Sequence, residues 1–422
     1  MLGSLLWSFI ERIMPRAATA LLMFLAAIYV SPSILGIYTW AILGFTLLQS
    51  VFDVAVRQVA VGALRTRSGL RFLVNYRTTF MVVGVLIIGV VIVSLLLTQP
   101  NHLHSSIWML CPLAVAPIAM ASGTKSVATL QSAGKWKALA SAQSLSVLIS
   151  LIISLPVVLM TRSIAGCVLQ VSIVELIFAF MVVRMAKATQ IPASQYLGIP
   201  PASVVSQFSS ASTYSALGWG QGQADRVLVG LLVGTAKLGQ YNLAWSVSRS
   251  LGDAIVNASV NVIRPQILDK ANDVDSQGDV RRLLSRACLM ITVTIVLTIA
   301  GTEFILKPVL GDEWADALRA VPVMALCTYP QIFSYTATIY LTRLGKLRAG
   351  LLPKILGLLL AIPIALAAVS GLTFAAWLAV ARELVVMIWL VWLVRKQIPL
   401  LGMVIGASGF GVMASFVLVW NV

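Results

Sequence analysis

Val30-Ser-Pro-Ser-Ile-Leu-Gly-Ile-Tyr38 and Val233-Gly-Thr-Ala-Lys-Leu-Gly-Gln-Tyr241 carry Val, Leu, Gly and Tyr at the same four places, 203 residues apart. Two further pairs follow in the same order. Gly134-Lys-Trp-Lys-Ala138 matches Gly345-Lys-Leu-Arg-Ala349 at an offset of 211, and Glu175-Leu176 matches Glu383-Leu384 at 208. Three matches at nearly one offset read as an internal duplication, so the chain is expected to fold as two similar halves.

The surroundings of these stretches say what kind of halves they are. Of 422 residues, 59% are hydrophobic and 10% are charged, and the mean hydropathy is +0.96. That composition belongs to an integral membrane protein and leaves no stretch polar enough for a separate soluble enzyme domain. A span needs about 20 mostly apolar residues. By that measure, spans are expected at 13–34, 37–56, 77–98, 106–131, 138–160, 164–185, 204–233, 239–263, 284–306, 320–343, 349–369, 371–394 and 398–420. The runs are continuous and do not alternate, which excludes a β-barrel. The basic-acidic stretch 264–286 reads as a connecting helix on the inner surface.

Each half then holds six spans, an even number, so both halves start on the same side and the repeats are parallel. The predicted fold is an all-α polytopic membrane protein with two six-helix lobes around a central cleft and about one extra C-terminal helix. The lobes are 1–190 and 191–397, and the extra helix lies in 398–422.

The net charge of +16 invites a nucleic-acid reading, but topology accounts for it. With the N-terminus inside, 23 of the 30 lysines and arginines fall on inner segments, four on outer ones and three within spans. This is a positive-inside pattern, so no nucleic-acid partner is expected. The first residues, MLGSLLWSFIERIMPR, lack a basic n-region and a small-residue cleavage site, so they read as a retained segment. Cys111, Cys167, Cys288 and Cys327 sit singly in apolar runs, which excludes a disulfide framework and a CxxC metal site. His102 and His104 give two potential ligands without a third, so they read as part of a solvated outer loop. No cofactor is expected. Pro112 and Pro117 in the fourth span, with Pro322 and Pro330 in the tenth, should kink corresponding helices.

Several stretches resemble a known family. Leu6-Trp-Ser-Phe-Ile-Glu-Arg12, Ser31-Pro-Ser-Ile-Leu-Gly36, and above all Gln223-Ala-Asp-Arg-Val-Leu-Val-Gly230 with Leu238-Gly-Gln-Tyr241 are similar to the polysaccharide exporters of the multidrug/oligosaccharidyl-lipid/polysaccharide (MOP) flippase superfamily, chiefly its Wzx-type flippases. Leu310-Gly-Asp-Glu-Trp314 and Leu344-Gly-Lys-Leu-Arg348 extend the resemblance along nearly the whole chain. Members commonly have twelve or fourteen spans, so the thirteenth departs from the pattern. The resemblance implies a MATE-like transporter, not an enzyme, in a bacterial cytoplasmic membrane. Its substrate would be an undecaprenyl-pyrophosphate-linked oligosaccharide, moved by alternating access coupled to an ion gradient. Membrane lipid, a polysaccharide polymerase and export proteins would be its partners. A cation-coupled drug antiporter of the same superfamily is the alternative. A membrane polymerase or ligase fits less well, because the first outer turn, Ser31–Gly36, has no charge.

An anionic headgroup crosses lipid only where a polar path receives it. Cations that can meet it are Arg16, Lys125, Arg226 and Arg249. Arg226 lies deep in its span below the polar tract Ser206–Gln223, and either meets substrate or pairs with Asp225. Arg249 and Asp253 stand at i and i+4, where a self-neutralising pair forms. Arg16, near the inner boundary, meets substrate or snorkels to headgroups. Asp53 and Asp225 are the carboxylates expected to carry a coupling ion, while Glu175 and Glu383 read as structural. In the expected cavity, Arg16, Lys125, Arg226, Arg249 and Arg382 stand against Asp53, Glu175, Asp225, Asp253 and Glu383, so the residues alone do not name an anionic substrate.

Overall fold

A backbone in hydrocarbon must satisfy its own hydrogen bonds, and a helix does this within one segment. The computed structural model describes residues 2–54, 67–100, 103–187, 201–268, 274–395, 410, 411, 414 and 417, and among them no strand occurs. The helices are α1 (Leu2–Ala27), α2 (Pro32–Leu48, extended by a π-helical turn, Gln49–Val54), α3 (Arg67–Thr98), α4 (Val115–Ser132), α5 (Trp136–Thr161), α6 (Ala165–Lys187) and α7 (Pro201–Leu232). They continue with α8 (Thr235–Leu268), α9 (Val274–Gly301), α10 (Ala315–Ala325), α11 (Thr328–Arg343), α12 (Leu351–Leu359), α13 (Ala361–Ser370) and α14 (Leu372–Leu393). The thirteenth expected span lies almost wholly outside the described residues.

Among the described residues, eight helical segments are long and apolar enough to cross a membrane, including Tyr76–Thr98, Trp136–Thr161 and Leu372–Leu393. The 32-residue α7 and 34-residue α8 are long enough but less apolar. They carry Asp225, Arg226, Arg249 and Asp253, and that polarity is what makes them informative.

The chain forms two compact units, Met1–Gln223 and Ala224–Val422. In the first unit, Val127, Leu130, Leu139, Ala142, Phe178 and Val182 make a core from α4, α5 and α6. Ala18 of α1 packs with Val147 and Val174. The first part of α7 belongs to this unit through Trp219, whose Nε1 donates to Thr46 Oγ1 at 3.1 Å. Ser212 Oγ donates to the Val51 carbonyl at 3.0 Å.

The duplication is visible in the turns. Gly134 and Gly345 take left-handed φ values of 67° and 66°. Lys135 N donates to Leu130 O and Lys346 N to Leu341 O, both at 2.9 Å, while Gly134 N reaches Gln131 O and Gly345 N reaches Thr342 O. Both turns are thus the same helix C-terminal motif, which needs a glycine because a Cβ is strained at that φ.

Of the four prolines predicted to kink helices, Pro112 and Pro330 stand at helix breaks, whereas Pro117 and Pro322 lie within continuous helices. Cys111–Ala114 is a 3₁₀ turn ahead of α4, and α10 yields to α11 just before Pro330. The stretch 264–286 differs from its expectation: α8 runs on to Leu268 and α9 already starts at Val274, so its described residues belong to two long helices and not to a separate connecting helix. Helices continue beyond the apolar layer because their charged ends are solvated in water.

Candidate functional site

Three helices of the second unit bring its buried ionisable groups together. On α7, Asp225 and Arg226 are adjacent. On α8, Tyr241, Trp245, Arg249 and Asp253 follow at successive i+4 steps and so share one face. On α14, Arg382 and Glu383 are adjacent. Asp225, Tyr241 and Arg382 are 0%, 0% and 1% exposed.

The Asp225 carboxylate accepts three bonds. Tyr241 Oη donates at 3.0 Å, Arg382 Nη1 at 3.3 Å, and the Arg226 backbone N–H at 2.9 Å. Arg382 also donates through Nη2 to Glu383 Oε1 at 3.0 Å. One arginine thus serves two carboxylates, which is how a buried charge becomes tolerable in this medium.

Arg226 is arranged differently. Its Nη1 donates to Asn242 Oδ1 at 2.8 Å, and its guanidinium lies 4.9 Å from the Trp245 ring centre. Among the described residues, no carboxylate oxygen lies within ion-pair distance of it, and its buried Nε has no partner. Arg249 sits 4.3 Å from the same indole. Its Nε and Nη2 donate to Asp253 Oδ1 at 3.2 and 3.1 Å, so the expected i,i+4 pair forms. One indole thus carries two guanidinium groups.

Of the residues predicted from sequence, the structure gathers Arg226, Arg249 and Asp225 in this cluster. Lys125 is exposed on α4 in the first unit, where it lines a cavity with Arg77. Arg16 lies on α1 and Asp53 on the π-helical turn after α2, but their side chains fall outside the described residues. His102 does as well, whereas the His104 ring bonds to the Gln99 carbonyl at 3.3 Å.

Arg382 is the residue that sequence reading did not place, although it neutralises Asp225. A signal was present in the repeat. At the offset that aligns the tyrosines, Asp225 corresponds to Leu22 and Arg226 to Met23, and at 208 Arg382 corresponds to Val174. The second half is charged where the first half is apolar. Tyr38, the partner of Tyr241, is 1% exposed, and its Oη finds no hydrogen-bond partner among the described residues.

Residues 69–319 match the family described as Polysaccharide biosynthesis protein, more than half of the chain. The chain belongs to that family. No curated protein matches the chain by sequence. Its fold is shared with solved flippase and multidrug-transporter structures. It superposes on the lipid II flippase MurJ in an inward closed conformation with a TM-score of 0.71, at 11% identity over 97% of this chain and 98% of that one. An inward-facing MATE multidrug resistance transporter gives 0.65, at 10% identity over 96% and 98%. A MOP superfamily transporter from Pyrococcus furiosus gives 0.59, at 12% identity over 97% and 96%. The chain is therefore a multi-pass membrane protein with a MATE-like fold.

Proposed function

We propose that the chain flips a lipid-linked oligosaccharide, carried on a polyprenyl diphosphate, across the bacterial cytoplasmic membrane by alternating access, with its N-terminus inside. The observation that supports this most is the state of Arg226. It is a buried guanidinium that touches no described carboxylate, lies against an indole, and has a donor to spare. A planar fork with an unspent N–H suits a phosphate oxygen. The neighbouring charges balance as three arginines against three carboxylates, which leaves no acidic surplus to favour a cationic drug.

Ion coupling is proposed for Asp225 only with a condition. Its carboxylate already holds three donors, so a proton or metal ion would have to displace Arg382. Asp53 is the other carboxylate proposed for this role.

The test is a deletion strain complemented with variants and assayed for accumulated lipid-linked sugar. Arg226→Ala is expected to abolish export at near-normal protein level, and Arg226→Lys to retain part of it, since a point charge still attracts phosphate. Equal loss of protein and export in both variants would refute the substrate role. Failure of the deletion strain to accumulate any lipid-linked sugar would refute the function.

A further inference from the structure

The first unit contains a cationic cavity of about 330 Å³ whose described lining residues include no carboxylate. It lies where the N-terminal part of α3 meets the C-terminal half of α4 and the end of α6. Arg77 contributes from α3; Ser122, Lys125 and Ser126 come from α4, and Val183 from α6. Just beyond it the two helices pack tightly: a Cβ on Gly84 would come 2.5 Å from the Cβ of Pro117. Among the described residues, neither Arg77 nor Lys125 has an acidic partner. Ser122 spends its hydroxyl proton on the Ile118 carbonyl at 2.9 Å.

Two cations with no acidic partner among the described residues, beside a cavity, call for an anion. What lies next to the cavity selects its kind. On α4, Val115, Ile118, Ser122 and Lys125 form one stripe at i, i+3, i+7 and i+10, and Val115 and Ile118 are exposed. On α3 the exposed face is Val82, Leu86, Val90, Val93 and Leu97. The cavity thus sits at the end of an exposed apolar surface. A free anion would use the cations and leave that surface unused, whereas an anionic lipid would use both.

We infer that this cavity binds the phosphate of a membrane lipid through Arg77 and Lys125, with an acyl chain along Val115 and Ile118. The same chemistry fits a resident anionic phospholipid or the phosphate of a polyprenyl carrier, and the inference does not rest on the transport reading.

Native mass spectrometry of the full-length protein in detergent tests it, with phosphatidylglycerol, dioleoylglycerol, a polyprenyl diphosphate and inorganic phosphate as probes. Phosphatidylglycerol is expected to bind and dioleoylglycerol not to. Each cation near an anionic lipid is worth about fivefold in affinity, so Arg77→Gln with Lys125→Gln should weaken phosphatidylglycerol about 25-fold. Arg77→Lys with Lys125→Arg should stay within about twofold, and Arg281→Gln, an exposed cation on α9, should change nothing. Should the double variant not fold, the two single Gln variants decide, each expected to lose about fivefold. Displacement of phosphatidylglycerol by polyprenyl diphosphate supports a site open to the carrier, and its retention supports a resident lipid. Unchanged phosphatidylglycerol affinity in folded Gln variants overturns the site. Equal binding of dioleoylglycerol, or displacement by inorganic phosphate at matched concentration, overturns the lipid-phosphate assignment.

Discussion

Replacing either member of the Asp225–Arg382 pair tests the central feature of the second unit. Both side chains are essentially inaccessible, so removing one partner strands the other in a low-dielectric interior. Such a loss typically costs about 3–5 kcal/mol. The two replacements should not cost the same. Asp225→Leu leaves Arg382 with Glu383, 3.0 Å away, which places its cost near or below the lower bound. Arg382→Val deprives both Asp225 and Glu383 of their cation and should reach the upper bound. With an unfolding entropy of about 2.1 cal/mol/K per residue, 422 residues convert this range into a fall in Tm of about 3–6 °C. The first half shows that this fold tolerates Leu and Val at the equivalent places, Leu22 and Val174. The double variant Asp225→Leu/Arg382→Val should therefore be more stable than Arg382→Val alone, because it removes one of the two orphaned carboxylates. Thermal unfolding of the four proteins in one detergent, followed by intrinsic tryptophan fluorescence, measures this cycle. Additive single effects, or a smaller loss for Arg382→Val than for Asp225→Leu, would refute the reasoning.

Two further outcomes are expected. Tyr241→Phe removes a bond to a buried carboxylate and should cost about 1.5–3 kcal/mol, whereas Tyr38→Phe removes a hydroxyl with no described partner and should be neutral or stabilising in the same melting assay. Gly252→Ala would place a Cβ 2.5 Å from Thr328 Oγ1 and 2.9 Å from its Cγ2, and should cost about 1–3 kcal/mol, most of it recovered by Thr328→Ala.

Much of this architecture was legible in the sequence because its signals are local. Gly134 and Gly345 announce their turns through residues four or five positions away, and Arg249 and Asp253 meet because one helical turn separates them. Arg226 was legible as a buried cation from its depth in an apolar run. Its companions were not: sequence proximity suggests Asp225, but the carboxylate turns to Tyr241 and Arg382, and the guanidinium turns to Asn242 and Trp245. Arg382 lies 157 residues from Asp225, and no local pattern encodes such a pairing. The cationic cavity was half legible, because Lys125 stood out within its span, whereas Arg77 passed for an ordinary inner-surface charge until α3 and α4 were placed side by side.

The 157-residue separation of Asp225 and Arg382 also has a meaning in time. A ribosome adding about 5–20 residues each second needs about 8–30 s to pass from one to the other. Throughout that interval α7 and α8 exist without α14, and Asp225 has Tyr241 and a backbone N–H but not its cation. The nascent second unit is thus electrostatically incomplete until its last described long helix emerges. A chain halted ahead of residue 382 holds Asp225 without its cation. The Asp225–Arg382 contact is therefore among the later ones available to the second unit as the chain is made.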